Sequence, residues 1–162
     1  MKVKFITLLV VVLCNESFHA QTTKEVSDDY LANYTSLNFD KLCQYYTDDS
    51  IFEDATMSYF SQDQSYQKPV GAKNIVSFLK EGFAKISNVN YAIKEQYQAG
   101  IMSFYYGTLH YDYEINNGGE PKTIQFNLPL AIVLKIENGK VIHHQDIADY
   151  NVWMEQYNKQ VK

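Results

Sequence analysis

Three side chains could move protons if the fold brings them together: Asp54, His144 and Asp146. Asp54 ends the stretch Ile51-Phe52-Glu53-Asp54, which reads as a short strand leaving a tyrosine-rich helix. Alternation sends Ile51 and Glu53 one way and Phe52 and Asp54 the other, so Asp54 shares a face with an aromatic ring. A carboxylate there is either a capping residue at the strand's end or a proton-transfer group in an apolar hollow. His144 and Asp146 lie two residues apart on the last strand, on one face with Ile142 and Ala148. Strand rise separates them by about 7 Å. With Asp54 opposite, the trio could serve as base, acid and orienting partner for proton transfer or dehydration. The plainer alternative is a pair of solvated residues, or a structural His–Asp hydrogen bond.

Tyr30 and Tyr34 stand one helical turn apart and can reach the same hollow, either as hydroxyl donors or as core packing. Other chemistries fare worse. His143 and His144 point to opposite faces of a strand, His110 belongs with Asp112 and Glu114 on an outer face, and no zinc-like spacing occurs. Cys43 sits within a helical stretch with no base beside it, which argues for a small buried hydrophobe rather than a nucleophile. No metal and no cofactor is expected.

The elements that must hold these groups follow from periodicity. Thr23 to Ser36 reads as a helix capped by Thr23 or Ser27, with Val26, Tyr30, Leu31 and Tyr34 inward. Asn38 starts a short second helix with Phe39, Leu42, Cys43 and Tyr46 inward. Met57 to Pro69 has no clean period and reads as a loop or short hairpin able to cover a pocket. Gly71 opens a third helix to about Ile86, with Ile75, Phe78, Leu79, Phe83 and Ile86 inward. Strands follow: one beginning at Tyr91, then Ile101 to Ile115, Lys122 to Ile136 and Lys140 to Tyr150. Asn116-Asn117-Gly118-Gly119 and Asn138-Gly139 mark hairpins. Pairing across the first puts Tyr111 by Phe126 and Leu109 by Leu128.

At 162 residues the chain fits one domain with a sizeable core. Residues 1–20 read as a secretory signal peptide: a basic start, an apolar run from Phe5 to Leu13, and Ala20-Gln21 as the cut. Residues 21–162 form the domain. Bulky Leu13 before Cys14 argues against a lipoprotein anchor, so the expected address is secreted or periplasmic, free of the membrane after cleavage. Only Cys43 then remains, which excludes an internal disulfide. The net charge of -5 becomes -6 once Lys2, Lys4 and Glu16 leave, and the sequence has no arginine. Nucleic acid and acidic lipid are disfavoured partners.

Asn38-Phe39-Asp40-Lys41-Leu42, Tyr46 through Asp54, Gly71-Ala72-Lys73-Asn74-Ile75, Glu137 through Ile142 and Asp149-Tyr150 occur in an order that carries a resemblance. The chain resembles the nuclear transport factor 2-like superfamily, in its SnoaL-like and ketosteroid-isomerase-like branches, from about Tyr30 to Tyr150. The resemblance implies a cone-like α+β barrel in which three N-terminal helices pack on a strongly curved antiparallel sheet around a pocket. It places Asp54 on the general base, Tyr30 on the oxyanion-hole tyrosine, and His144 and Asp146 on the pocket face. The second oxyanion donor falls near Ile132, which cannot donate. Tyr34, Tyr105, Tyr111, Phe126, Leu128 and Ile132 become the expected pocket wall. Such a pocket would take a small apolar organic ligand, for cofactor-independent isomerisation, dehydration or cyclisation, or for binding without chemistry. Met102, Phe104 and Tyr106 on the outer sheet face suggest a homodimer or an interaction module.

Overall fold

The computed structural model describes residues 22–57, 68–116 and 120–161. The expected signal peptide and most of the loop after Met57 lie outside the described residues. Three helices lead the fold: α1 (Thr23–Thr35), α2 (Phe39–Leu42), which tightens into a 3₁₀ turn (Cys43–Tyr45), and α3 (Ala72–Gly82). Strand β1 (Ile51–Asp54) lies between α2 and α3. Strands β2 (Ile86–Ala99), β3 (Met102–Ile115), β4 (Lys122–Glu137) and β5 (Lys140–Ala148) follow, and α4 (Tyr150–Val161) closes the described chain. The strands form one sheet in the order β1-β5-β4-β3-β2, antiparallel except that β1 runs parallel to β5.

Local chemistry sets these boundaries. The cap of α1 is Thr22 rather than Thr23 or Ser27. Its hydroxyl accepts from the Glu25 amide while the Glu25 carboxylate takes the Thr22 amide, a reciprocal capping box. Ser27 lies inside the helix, fully buried, with its hydroxyl on the Lys24 carbonyl. Asn138 and Gly139 both take positive φ, the primed turn that matches strand twist at a two-residue hairpin. In the β3–β4 register Tyr111 faces Phe126 and Leu109 faces Leu128, the pairing expected from sequence. The sheet bends where β2 slips register between Ile93 and Glu95, opposite Gly107. A Cβ on Gly107 would lie 2.3 Å from the Ala92 carbonyl oxygen, so only glycine allows this approach.

Three expectations need correction. Cys43 is exposed, because the chain tightens to a 3₁₀ turn there and brings Tyr45 inward in its place, while Phe39, Leu42 and Tyr46 lie inward as expected. The third helix stops at Gly82, and Phe83 and Ile86 reach the interior from the turn and from β2. The last strand ends at Ala148 rather than running to Tyr150, and a fourth helix follows. Its start was written in the sequence: Asp149 caps it, its carboxylate accepting from the Asn151 and Val152 amides.

Helix α4 covers an edge. Strand β5 pairs only with Leu130 to Glu137 of β4, leaving the preceding part of β4 with a ladder on one side. The Gln156 amide side chain bonds the Asn127 N–H and C=O, and Gln160 does the same for Gln125. Four residues of helix rise about 6 Å and two residues of strand about 6.6 Å, so two glutamines one turn apart match alternate strand residues. The same helix lays Trp153 flat on Phe126, with ring centroids 5.1 Å apart.

Candidate active site

Parallel pairing of β1 and β5 builds the site. Their register sets Phe52 beside His144 and Asp54 beside Asp146. Alternation then points Phe52, Asp54, Asp146 and Ala148 into one cavity of about 480 Å³. Its remaining wall is Tyr34 from α1, Phe78 and Gly82 from α3, Phe83, Ile86, Leu109, Tyr111 and Tyr113, Leu128 and Leu130, and Tyr150 and Trp153 from α4, with Met57 three residues past the end of β1. Two carboxylates thus stand in a hollow that is otherwise aromatic and aliphatic.

Asp146 is held from behind. Its Oδ1 lies 2.8 Å from His144 Nε2, and its Oδ2 accepts from the Tyr34 hydroxyl at 2.6 Å. His144 is fully buried, its ring crossed by Tyr34 and Phe52 at 4.7 and 4.6 Å between centroids. Its Nδ1 lies 2.5 Å from the Tyr30 hydroxyl, which is hydrogen-bonded in turn to the Tyr46 hydroxyl. A continuous chain therefore runs Tyr46, Tyr30, His144, Asp146, Tyr34, from the interior to the cavity wall. Burial, together with the neighbouring Tyr46 and Asp146 respectively, pushes Tyr30 and Tyr34 well above the usual phenol range, so both keep their protons at neutral pH.

Asp54 is held differently. Its Oδ2 accepts from the Tyr150 hydroxyl, and its Oδ1 accepts from Thr56 Oγ1 and the Met57 amide, each at 3.1 Å. These bonds favour the charged form, but burial and then the adjacent Asp146 charge outweigh them. The Asp54 carboxyl is held above the ordinary carboxylate range. Thr56 also accepts the Ala148 amide, which ties the end of β1 to the end of β5.

Of the residues singled out from sequence, the fold brings Asp54, Asp146, Tyr34, Tyr111 and Leu128 to the cavity wall. Tyr30 and His144 stand behind that wall, bonded to each other. Tyr105, Phe126 and Ile132 do not line it. Tyr105 donates to Asp28 at 2.9 Å, Phe126 is covered by Trp153, and Ile132 is fully buried in the β3–β5 register beside Tyr105 and Asp146. Tyr150 and Trp153 were not read as site residues. The spacing of Tyr150, Trp153, Tyr157 and Val161 on one helical face was the signal that could have found them. Across the strand, His143 turns outward and lies 2.6 Å from Glu53 Oε1, while Lys68 reaches Glu53 Oε2 at 2.9 Å. Among the described residues no three His, Cys, Asp or Glu side chains are grouped to hold a metal ion.

Comparison with known proteins agrees with this architecture. A family model for the SnoaL-like domain matches residues 28–144. A proposed SnoaL-like polyketide cyclase from Shewanella putrefaciens is 26% identical, with a TM-score of 0.73 over 85% of this chain and 97% of its own. A second, from Shewanella denitrificans, is 22% identical with the same TM-score over 85% and 98%. IdmH, a proposed polyketide cyclase from Streptomyces antibioticus, shares the fold at 12% identity, with a TM-score of 0.69 over 85% and 99%. A search of curated proteins finds no match.

Proposed function

Because the chain belongs to the SnoaL-like domain family, within the nuclear transport factor 2-like fold, we propose that it takes a small organic molecule into this cavity and transfers protons on it. The observation that carries the reading is the pair Asp54 and Asp146, set side by side by strand register in the wall of an aromatic cavity. Asp54, raised by burial and by its neighbour, is poised as the group that picks up and releases the proton. Asp146 is the partner that His144 and Tyr34 position. Tyr34 and Tyr150 donate their hydroxyl protons to the two acids and hold them at the cavity wall. Tyr30 acts one step back, through His144. Isomerisation, dehydration and cyclisation all require only these parts and a dry cavity. The cyclases named above are consistent with that class.

The test is mass spectrometry of small molecules that co-purify with the protein and with Asp54→Asn. Turnover lost with binding retained supports the chemistry. One observation favours the second reading, a binding protein without turnover: each carboxylate already has protein donors on both oxygens. Unchanged ligand and unchanged product profile in Asp54→Asn would select it.

Two further parts of the reading concern the whole molecule. Residues 1–20 act as an export signal, which N-terminal sequencing of the mature protein checks. The outer sheet face, where Met102, Tyr106 and Ile147 are each about two-fifths exposed, pairs two copies. Light scattering should give a dimer mass that Tyr106→Glu lowers to a monomer's.

A further inference from the structure

The charge balance of the cavity wall narrows the ligand class. Each wall carboxylate keeps acceptor capacity after its protein bonds: Asp54 Oδ2 takes one donor, and Asp146 Oδ1 and Oδ2 take one each among the described residues. An ionised carboxylate oxygen has two acceptor sites, so three of the four oxygens have room for a ligand donor. No lysine or histidine is among the residues that line the cavity, and the sequence has no arginine. The basic side chains bonded to β1 and β5 serve elsewhere. His144 is enclosed behind Asp146, and His143 and Lys68 engage Glu53 on the opposite face of the strand. Residues 58–67 contain no basic side chain by sequence. Around the two acids stand the rings of Phe52, Phe78, Phe83, Tyr111, Tyr113 and Trp153.

We propose that the cavity selects an organic cation, a molecule with an alkylammonium group and an apolar body. This deepens the small-molecule reading above and rests on it. Two adjacent acids in a cavity lined by no lysine or histidine disfavour an anion. Burial and the neighbouring Asp146 favour a proton on Asp54. A ligand ammonium replaces that proton, bonds or faces the free acceptor positions, and presents its positive alkyl shell to ring faces, the arrangement that favours quaternary and alkylated ammonium groups. A neutral ligand of the same shape gains the ring contacts and brings no counter-charge to the paired acids. An anionic one places negative charge beside them.

Trp153 makes the test direct, since it is the sequence's single tryptophan and lines the cavity. Its fluorescence is titrated with three probes at neutral pH: phenyltrimethylammonium, its neutral carbon isostere tert-butylbenzene, and benzenesulfonate. The expected result is saturable binding of the cation, at least tenfold tighter than the neutral isostere, with no saturation by the anion. Asp54→Asn and Asp146→Asn, each checked for folding by thermal melting, should each cut the cation's advantage severalfold and leave tert-butylbenzene's affinity unchanged or improved. Neutral binding as tight as or tighter than the cation's, or binding of the anion, overturns the cation proposal while the cavity stands as a small-molecule site. Saturation by none of the three overturns the cation proposal and the small-molecule reading together.

Discussion

Strands β1 and β5 carry two acid–histidine groupings, one on each face, and the two have little else in common. Inward lie Asp54, His144 and Asp146; outward lie Glu53 and His143, with Lys68 beside them. The residue types match, and the pairs are one residue out of step along the same strands. Inside, His144 is fully enclosed and hydrogen-bonded to Asp146 and to the buried Tyr30 phenol, which is bonded in turn to Tyr46. Outside, a lysine and a part-exposed histidine balance one glutamate. Alternation alone decides which grouping meets a lysine and which is held in an aromatic hollow. A carboxylate beside a lysine has its charge compensated, whereas one buried beside a second acid is pushed toward keeping its proton. Chemistry is therefore expected of one face only.

The largest difference between the faces should be in turnover. Asp54→Asn and Asp146→Asn each remove a proton-transfer group and keep its shape. Steady-state rates on the ligand identified by co-purification should fall by about 10² to 10⁴. Glu53→Gln, made on the same strand one residue away, should leave the rate within about twofold of wild type. A Glu53 variant as crippled as the Asp54 variant would mean that strand geometry, not the inner acid, sets the rate.

Next in size is stability at the two histidines. His144→Ala leaves the Tyr30 hydroxyl and Asp146 Oδ1 each short of a partner in the interior and opens a cavity among Tyr34, Phe52 and Tyr30. A loss of about 3 kcal/mol in urea unfolding is expected. His143→Ala removes a part-exposed pairing with Glu53 and should cost less than about 1 kcal/mol. Equal losses would show that the buried chain contributes nothing beyond packing.

How much of this contrast could be read from the residues depends on the range of the interaction. Strand alternation is local, so the opposite facings of His143 and His144, and of Glu53 and Asp54, were legible. The hairpin register that pairs Tyr111 with Phe126 was legible for the same reason, since turn chemistry and two apolar faces agree. The parallel pairing of β1 with β5, which sets Asp54 beside Asp146, joins residues some ninety positions apart, and nothing local encodes it. The roles of the two helix tyrosines show the same limit. Family resemblance pointed to Tyr30, but Tyr34 reaches the cavity, because His144 fills the space in front of Tyr30. Tyr150 escaped notice because a strand was extended through Asp149, whose carboxylate instead starts a helix. That helix carries Trp153 over Phe126 and closes the cavity's far wall.

The smallest effect separates the faces by sign rather than by size. Burial first, and the adjacent Asp146 second, hold the Asp54 carboxyl above the usual carboxylate range. The folded protein therefore keeps this proton to a higher pH than the unfolded chain does. The stability it contributes is complete below the unfolded value, near 4, and is lost as pH rises through the folded value. Above that window the ionised acid sits beside Asp146 in the cavity and destabilises the fold. Asp54→Asn never acquires that charge, so its melting temperature should exceed wild type's near neutral pH, with the margin shrinking as pH falls toward 4. Glu53→Gln should do the reverse at neutral pH, a slightly lower melting temperature, because it gives up the pairing with Lys68. Thermal melts of the three proteins from pH 3 to 8 test both signs. Parallel curves for wild type and Asp54→Asn would mean that the inner acid is no more strained than the outer one. A site that costs stability at its working pH is the expected mark of a group kept for function rather than for the fold.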